Sequence, residues 1–162
     1  MMPGMMVRRA AIERAGFYDP SIRHCEDLDL WLRLLKSGGR IIYHRRILYH
    51  LRSREDSLSK QEILMYESLL RIYDQIERRF ILTKEERTAV ERACRHTTAA
   101  LQLEIGKKAF ARGDVTSAIR NISAANEHFH RWKLRFVLVL MKTMPGVLRG
   151  LRQMRARLAR QS

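Results

Sequence analysis

Chemistry in this sequence centres on Glu26 and Asp27, two adjacent acids in the segment HCEDLDLWLRL, which runs from His24 to Leu34. They stand out because the chain carries 32 Lys and Arg against 17 Asp and Glu, a formal net charge of +15. A fixed carboxylate can take a proton from a hydroxyl group and so act as a general base. Acids also suit the start of a helix, where free backbone amides and the positive helix end favour carboxylates. Capping accounts well for one acid and less well for two.

The same segment predicts the helix that would position these acids. Its apolar residues recur at helical spacing and should form the buried face: Leu28, Trp31, Leu32 and Leu35. Asp29, Arg33 and Lys36 fall on the opposite side. Asp29 and Arg33 are four residues apart, which permits a surface ion pair that contributes roughly 0.2–0.5 kcal/mol.

Three segments follow one another in the first 60 positions: PGMMVRRAAIERAGFYD, CEDLDLWLRLLKSGGRIIYH and YHLRSREDSLS. In this order they strongly resemble the C-terminal half of the catalytic domain of the family 2 glycosyltransferases. The resemblance is carried by an arginine pair, a glycine and Phe-Asp turn, the Glu-Asp signature with its Asp-Leu-Trp-x-Arg continuation, a Gly-Gly turn and an Arg and Ser-x-Ser segment. The matching residues are Arg8, Arg9, Gly16, Phe17, Asp19, Glu26, Asp27, Asp29, Trp31, Arg33, Gly38, Gly39, Arg52, Ser57 and Ser59.

The resemblance implies an enzyme with a GT-A fold that transfers a sugar from a nucleotide-activated donor with inversion. Asp27 would be the general base and Glu26 would support or orient it. The substrate-binding candidates are Arg33, Arg52, Arg54 and Trp31. Structural interpretations stay open for all four, because Trp31 fits the core, Arg33 can brace the acidic loop or pair with Asp29, and the other two arginines can be solvated charges.

The sequence departs from this family in two ways. The family's nucleotide-binding half, with the Asp-any-Asp motif that holds a divalent metal, would precede these residues. The complete enzyme should therefore use Mn or Mg, while this chain supplies no metal ligand and should be inactive alone as a truncated form. In addition, Arg54 stands where many relatives carry a His, and His50 is out of position for that role.

The predicted fold class is α+β and predominantly α: the C-terminal part of a GT-A domain over residues 1–59, then an α-helical region over residues 60–162. RIIYH and ILYHLR, after Gly39, are typical of short strands. Ser59–Glu62 and Thr83–Glu86 have capping-box spacing and should begin helices. A break at Gly113 and Asp114 predicts a helical hairpin. It resembles one tetratricopeptide unit but is better explained as an ordinary hairpin, because a lone unit cannot bury its face.

Residues 145–160 predict a basic amphipathic helix, for which an anionic membrane surface is one candidate partner and packing on the preceding helices is the alternative. Nucleic acid is disfavoured, because the basic run contains no interleaved aromatic residue and no recognisable reader motif. Cys25 and Cys94 form no metal or disulfide pattern.

We expect a cytoplasmic protein, peripheral at the inner membrane face, with a nucleotide sugar and a glycan or lipid-linked acceptor as substrates. The alternative function is a non-catalytic basic helical adaptor that binds a membrane surface or a protein.

Overall fold

The computed structural model describes residues 5–42, 47, 50 and 61–143. Within these residues the chain forms six helices: α1 (Arg9–Ala15), α2 (Glu26–Lys36), α3 (Glu62–Arg79), α4 (Lys84–Arg112), α5 (Val115–Phe129) and α6 (Trp132–Thr143). The chain divides into two compact units, Met1–Val90 and Glu91–Ser162.

The predicted α+β class with a GT-A fragment is wrong, because none of the described residues forms a strand. Of the two expected strands, Tyr43, His44, Leu48, Tyr49, Leu51 and Arg52 lie outside the described residues. Ile41, Ile42 and Ile47 are described, and all three are exposed without strand pairing. A run of Ile and Tyr becomes a strand only when a neighbouring strand pairs with it, and the described residues offer none.

In the first unit, α1 and α2 pack against each other through a small apolar cluster. Its buried members are Leu30, Trp31 and Leu34, and partly buried Met5, Val7, Ala11 and Ala15 pack against them. The buried face of α2 therefore runs one position earlier than the predicted face. Leu35, which the sequence placed in the core, is 40% exposed. Helix α3 buries Ser68, Ile72 and Ile76.

Replacing Leu30 with Ala should test this assignment of the core, because Leu30 is fully buried. We expect the variant to lose about 2–5 kcal/mol of unfolding free energy through lost burial and the remaining cavity. Leu35→Ala, the same change in the same helix, should cost about 1 kcal/mol or less. Urea denaturation followed by circular dichroism measures both. Equal losses would contradict the assigned face.

The start of α4 confirms the capping box predicted at Thr83–Glu86. The backbone N–H of Glu86 donates to Thr83 Oγ1 at 3.2 Å, and the N–H of Thr83 donates to Glu86 Oε2 at 2.9 Å. Lys36 Nζ also donates to Glu86 Oε2 at 2.9 Å, which joins the end of α2 to the start of α4. The bonds from Thr83 and Lys36 lower the pKa of the Glu86 carboxyl. At the start of α3, the expected cap Ser59 lies outside the described residues.

The second unit contains the predicted helical hairpin, with its break at Gly113 and Asp114. Gly113 has a φ of 91°, and Asp114 caps α5 by accepting from the N–H of Ser117 at 2.9 Å. The core of this unit is formed by Leu103, Ala118, Ile122, Ala125, Leu138 and Met141. Gly106 of α4 lies so close to α5 that a Cβ there would be 2.6 Å from Ile122 Cγ1 and 3.2 Å from its backbone nitrogen.

Helix α6 follows α5 after a tight turn at His130, whose φ is 50°. Asn126 Oδ1 accepts from the backbone N–H of Arg131 at 2.8 Å and stabilises this turn. None of the helices that the structure describes is both long enough and apolar enough to cross a bilayer.

Candidate functional site

Asp27 lies in the first turn of α2, and its side chain is buried, with 7% of the residue exposed. Its Oδ1 accepts a hydrogen bond from the backbone N–H of Leu28 at 2.9 Å. Cys25, the residue just before α2, has a left-handed φ of 61°, which sets the direction in which the helix starts. Glu26 is half-buried beside it. The two predicted catalytic acids therefore occupy the free amide end of α2, with Asp27 the more enclosed.

Burial raises the pKa of the Cys25 thiol, and the nearby carboxylate of Asp27 raises it further. The thiol stays protonated near neutral pH, so it is a poor nucleophile. Cys25 Sγ lies 3.9 Å from the carbonyl oxygen of Met65, which places α3 beside the start of α2. The chemistry available at this helix end is therefore that of the carboxylates.

The pair Asp29 and Arg33 is buried, in contrast to the surface pair that the sequence predicted. Arg33 Nε donates to Asp29 Oδ2 at 2.9 Å, and the two side chains are only 16% and 3% exposed. Arg33 also donates to the carbonyl oxygen of Ala15, and through Nη2 to that of Phe17 at 2.6 Å. These carbonyls lie at and just beyond the end of α1, where helix geometry leaves acceptors without partners. Arg33 thus ties the end of α1 to α2, which is the bracing role that the sequence left open.

Arg79, at the end of α3, adds two longer contacts to this brace. Its guanidinium lies 3.7 Å from Asp29 Oδ1 and 3.7 Å from Asp19 Oδ2. Asp19 Oδ1 accepts from the hydroxyl of Ser21 at 2.6 Å and from its N–H at 2.9 Å. These bonds from Ser21, with a smaller contribution from Arg79, lower the pKa of Asp19. The resulting stabilisation exists above the ordinary carboxyl pKa and is lost as the pH falls through the lowered one.

Arg33 and Arg79, which we call the brace, contact the loop between α1 and α2 at Phe17 and Asp19. This loop leads directly into Glu26 and Asp27. Gly16, with a φ of 80°, and Phe17, with a φ of 59°, turn the chain out of α1. Arg33 holds the loop at this end, while Asp19 and Ser21 order its middle. These contacts position the loop that precedes Asp27, and the pair of Asp29 and Arg33 lies in the helix that follows it.

The substrate-binding candidates divide into described and undescribed residues. Trp31 lies in the cluster with Leu30 and Leu34, and its buried Nε1 has no hydrogen-bond partner among the described residues. The guanidinium of Arg33 is bonded to Asp29 and to the carbonyl oxygens of Ala15 and Phe17. Arg52 and Arg54 lie outside the described residues, as does the predicted membrane-binding segment 145–160. Substrate contact by these residues stays a prediction.

An open cavity of about 610 Å³ borders the residues just before α2, and sequence reasoning missed it. Its walls are Ser21, Ile22, Arg23 and His24 from the loop and Gln61, Leu64, Ser68, Arg71, Ile72 and Gln75 from the α3 side. Arg71 Nη2 donates to the buried Ser68 hydroxyl at 3.1 Å. Buried Gln75 Oε1 has no partner in the part of the chain that the structure describes. The sequence does carry one signal for this wall: Ser68, Arg71 and Gln75 are three, four and seven positions apart and so share one polar face of α3.

The residues present do not fit the divalent metal that the resemblance implies. Asp27 and Asp29 spell Asp-any-Asp, but two positions along a helix turn side chains about 200° apart, so they cannot chelate one ion together. Asp29 is already paired with Arg33. Across the described ranges, no group of three or more His, Cys, Asp or Glu side chains could hold a metal ion.

The chain matches no protein-family model, and the searches of curated proteins and of solved structures found no match to it.

Proposed function

We propose that this chain supplies the acceptor-activating part of an inverting glycosyltransferase that resembles family 2. The observation that carries the proposal is the buried carboxylate of Asp27 at the start of α2, a helix that Arg33 ties to the preceding loop. A helix cap needs neither burial nor a neighbouring loop tied down by an arginine. A general base needs a fixed position relative to its substrate, since misplacement lowers the rate steeply.

In the proposed reaction, Asp27 accepts the proton of an acceptor hydroxyl. The hydroxyl oxygen attacks the anomeric carbon of the donor sugar, and the bond from that carbon to the nucleoside diphosphate breaks. The proton ends on the carboxylate and the electron pair of the broken bond leaves with the diphosphate. Glu26 orients the hydroxyl or the base, and Arg33 is a positioning residue.

The cavity beside the loop that leads into these acids would suit an anionic or strongly polar ligand. Its wall includes two guanidinium groups and an imidazole, those of Arg23, Arg71 and His24. Guanidinium groups bind phosphate oxygens well. We assign it to the substrate, either the phosphate of a lipid-linked acceptor or that of the donor. The metal-dependent part of donor binding would come from a nucleotide-binding half, so the chain alone should be inactive. We place the activity at the cytoplasmic face of a membrane.

The second candidate is a non-catalytic basic adaptor, favoured by the net charge of +15. This function gives no reason for a buried acid in a braced helix end. The two candidates differ in one measurable respect, because only the transferase consumes nucleotide sugar.

The test is a transfer assay on the natural gene product that contains this chain. UDP-sugars and GDP-sugars are supplied with manganese and lipid-linked or glycan acceptors, and the released nucleoside diphosphate is measured. Release that depends on the acceptor supports the transferase. If a product that includes a nucleotide-binding half releases none from any donor, the transferase proposal fails and the adaptor remains.

A further inference from the structure

Helix α6 is apolar on two opposite faces, of which the described residues cover only one. Leu138 and Met141 are buried in the core of the second unit, and Leu134 and Val137 pack against it. On the other side, Trp132, Phe136 and Val139 are 72%, 60% and 56% exposed. Their spacing of four and three residues aligns them in one stripe, about 180° around the helix from the buried face. We call these three residues the α6 stripe.

Basic residues flank the α6 stripe on both sides. Helical geometry puts Lys133 on one side of it and Arg135 and Lys142 on the other, and all three are exposed. Lys133 Nζ lies 5.9 Å from the centre of the Trp132 ring. Glu127 is the last acidic residue in the sequence, so no acidic side chain from α6 onward offsets these charges.

This combination selects one kind of partner. Exposed aromatic and aliphatic side chains between lysines and arginines are the features of helices that lie in the plane of a membrane interface. Tryptophan favours the headgroup level, and each basic side chain near an anionic surface adds attraction. At 12 residues, α6 is too short to cross a bilayer, so it would lie along the surface. Its buried face stays packed on α5 in that orientation.

We propose that the α6 stripe docks on the surface of an anionic lipid membrane, with Trp132 and Phe136 inserted at headgroup level. The inference rests on described residues of α6 and does not depend on the basic segment 145–160. It also stands apart from the transferase proposal, since it uses none of the residues around Asp27.

The experiment is co-sedimentation of the full chain with vesicles, combined with tryptophan fluorescence. One vesicle set is phosphatidylcholine alone, and the other contains phosphatidylcholine and phosphatidylglycerol in equal parts. We expect binding to the anionic set only, weakened by salt, with a blue shift of the emission. The shift should be absent in Trp132→Phe, which assigns it to that residue and not to Trp31.

Phe136→Asp places a carboxylate in the middle of the α6 stripe and should weaken partitioning about tenfold or more. The matched control is Ile81→Asp, which adds the same charge at another exposed apolar position, outside the α6 stripe. It should bind within about twofold of the wild type. Since the net charge is the same in both variants, a difference between them reports on the α6 stripe. Circular dichroism should show that both variants remain helical.

Three results would overturn the proposal. The first is no binding of the wild-type chain to anionic vesicles. The second is binding that Phe136→Asp and Ile81→Asp reduce equally, or that leaves Trp132 emission unchanged, because another surface would then hold the lipid. The third is self-association that shifts Trp132 emission without lipid, because a second copy would then cover the stripe.

Discussion

Replacing Asp27 with Asn is expected to reduce acceptor-dependent sugar transfer by roughly 10²–10⁴-fold, the usual contribution of a general base. Asparagine has nearly the same size, and its carbonyl oxygen can still accept from the N–H of Leu28, which now bonds to Asp27 Oδ1. The amide cannot take up the proton of the acceptor hydroxyl. Activity should therefore fall while the fold and the melting temperature stay close to those of the wild type.

Asp74→Asn is the matched control for this experiment. Asp74 is an exposed acid on α3 whose Oδ1 accepts from Arg78 at 3.0 Å, so the same chemical change removes a charge away from the proposed site. Nucleoside diphosphate release is measured for both variants with the donor that the wild type accepts. Comparable activity in the two variants would exclude Asp27 as the base and leave its burial as a structural feature.

Arg33→Met should destabilise the first unit by about 3–5 kcal/mol, since it leaves the carboxylate of Asp29 buried without its main partner. It also removes the donors that satisfy the carbonyls of Ala15 and Phe17. The contact from Arg79 to Asp29, at 3.7 Å, should keep the loss toward the lower end of that range. Methionine preserves most of the apolar stem, so the change reports mainly on the guanidinium.

Arg78→Met supplies the comparison, because Asp74 and Arg78 form the same pair four residues apart on an exposed helix surface. Its expected cost is about 0.5 kcal/mol or less. Urea unfolding can be followed by Trp31 fluorescence in a Trp132→Phe background, since the sequence has only these two tryptophans. If the two arginine variants lose similar stability, the buried brace contributes no more than a surface pair.

The sequence predicted the helices whose signals are local. The capping box at Thr83 and Glu86 formed as expected, and the break at Gly113 ended α4 because a glycine and an N-capping acid stand together there. The helix at Glu26 was also predicted, but its buried face was not. The leucines of α2 allow two adjacent faces, and the position of α1 decides between them.

The failures concern residues whose partners are distant in the sequence. The burial of Asp29 depends on carbonyls in the α1–α2 loop and on Arg79, fifty positions away. The expected strands after Gly39 depend on pairing that the described residues do not provide. The cavity beside His24 is formed by a loop and a helix that only the tertiary structure brings together. The catalytic role of Asp27 could be proposed from local pattern, whereas its brace could not.

Gly106 determines how α4 and α5 are aligned along their lengths. The two backbones approach so closely at this point that the space holds a hydrogen atom but no methyl group. Gly106 is the only glycine within Lys84–Arg112, whereas alanines occur at several positions, so sliding α4 by one turn along α5 would preserve apolar contact but bring a Cβ into this space. Overpacking of that kind typically costs about 1–3 kcal/mol. One missing side chain therefore selects a single register for the hairpin.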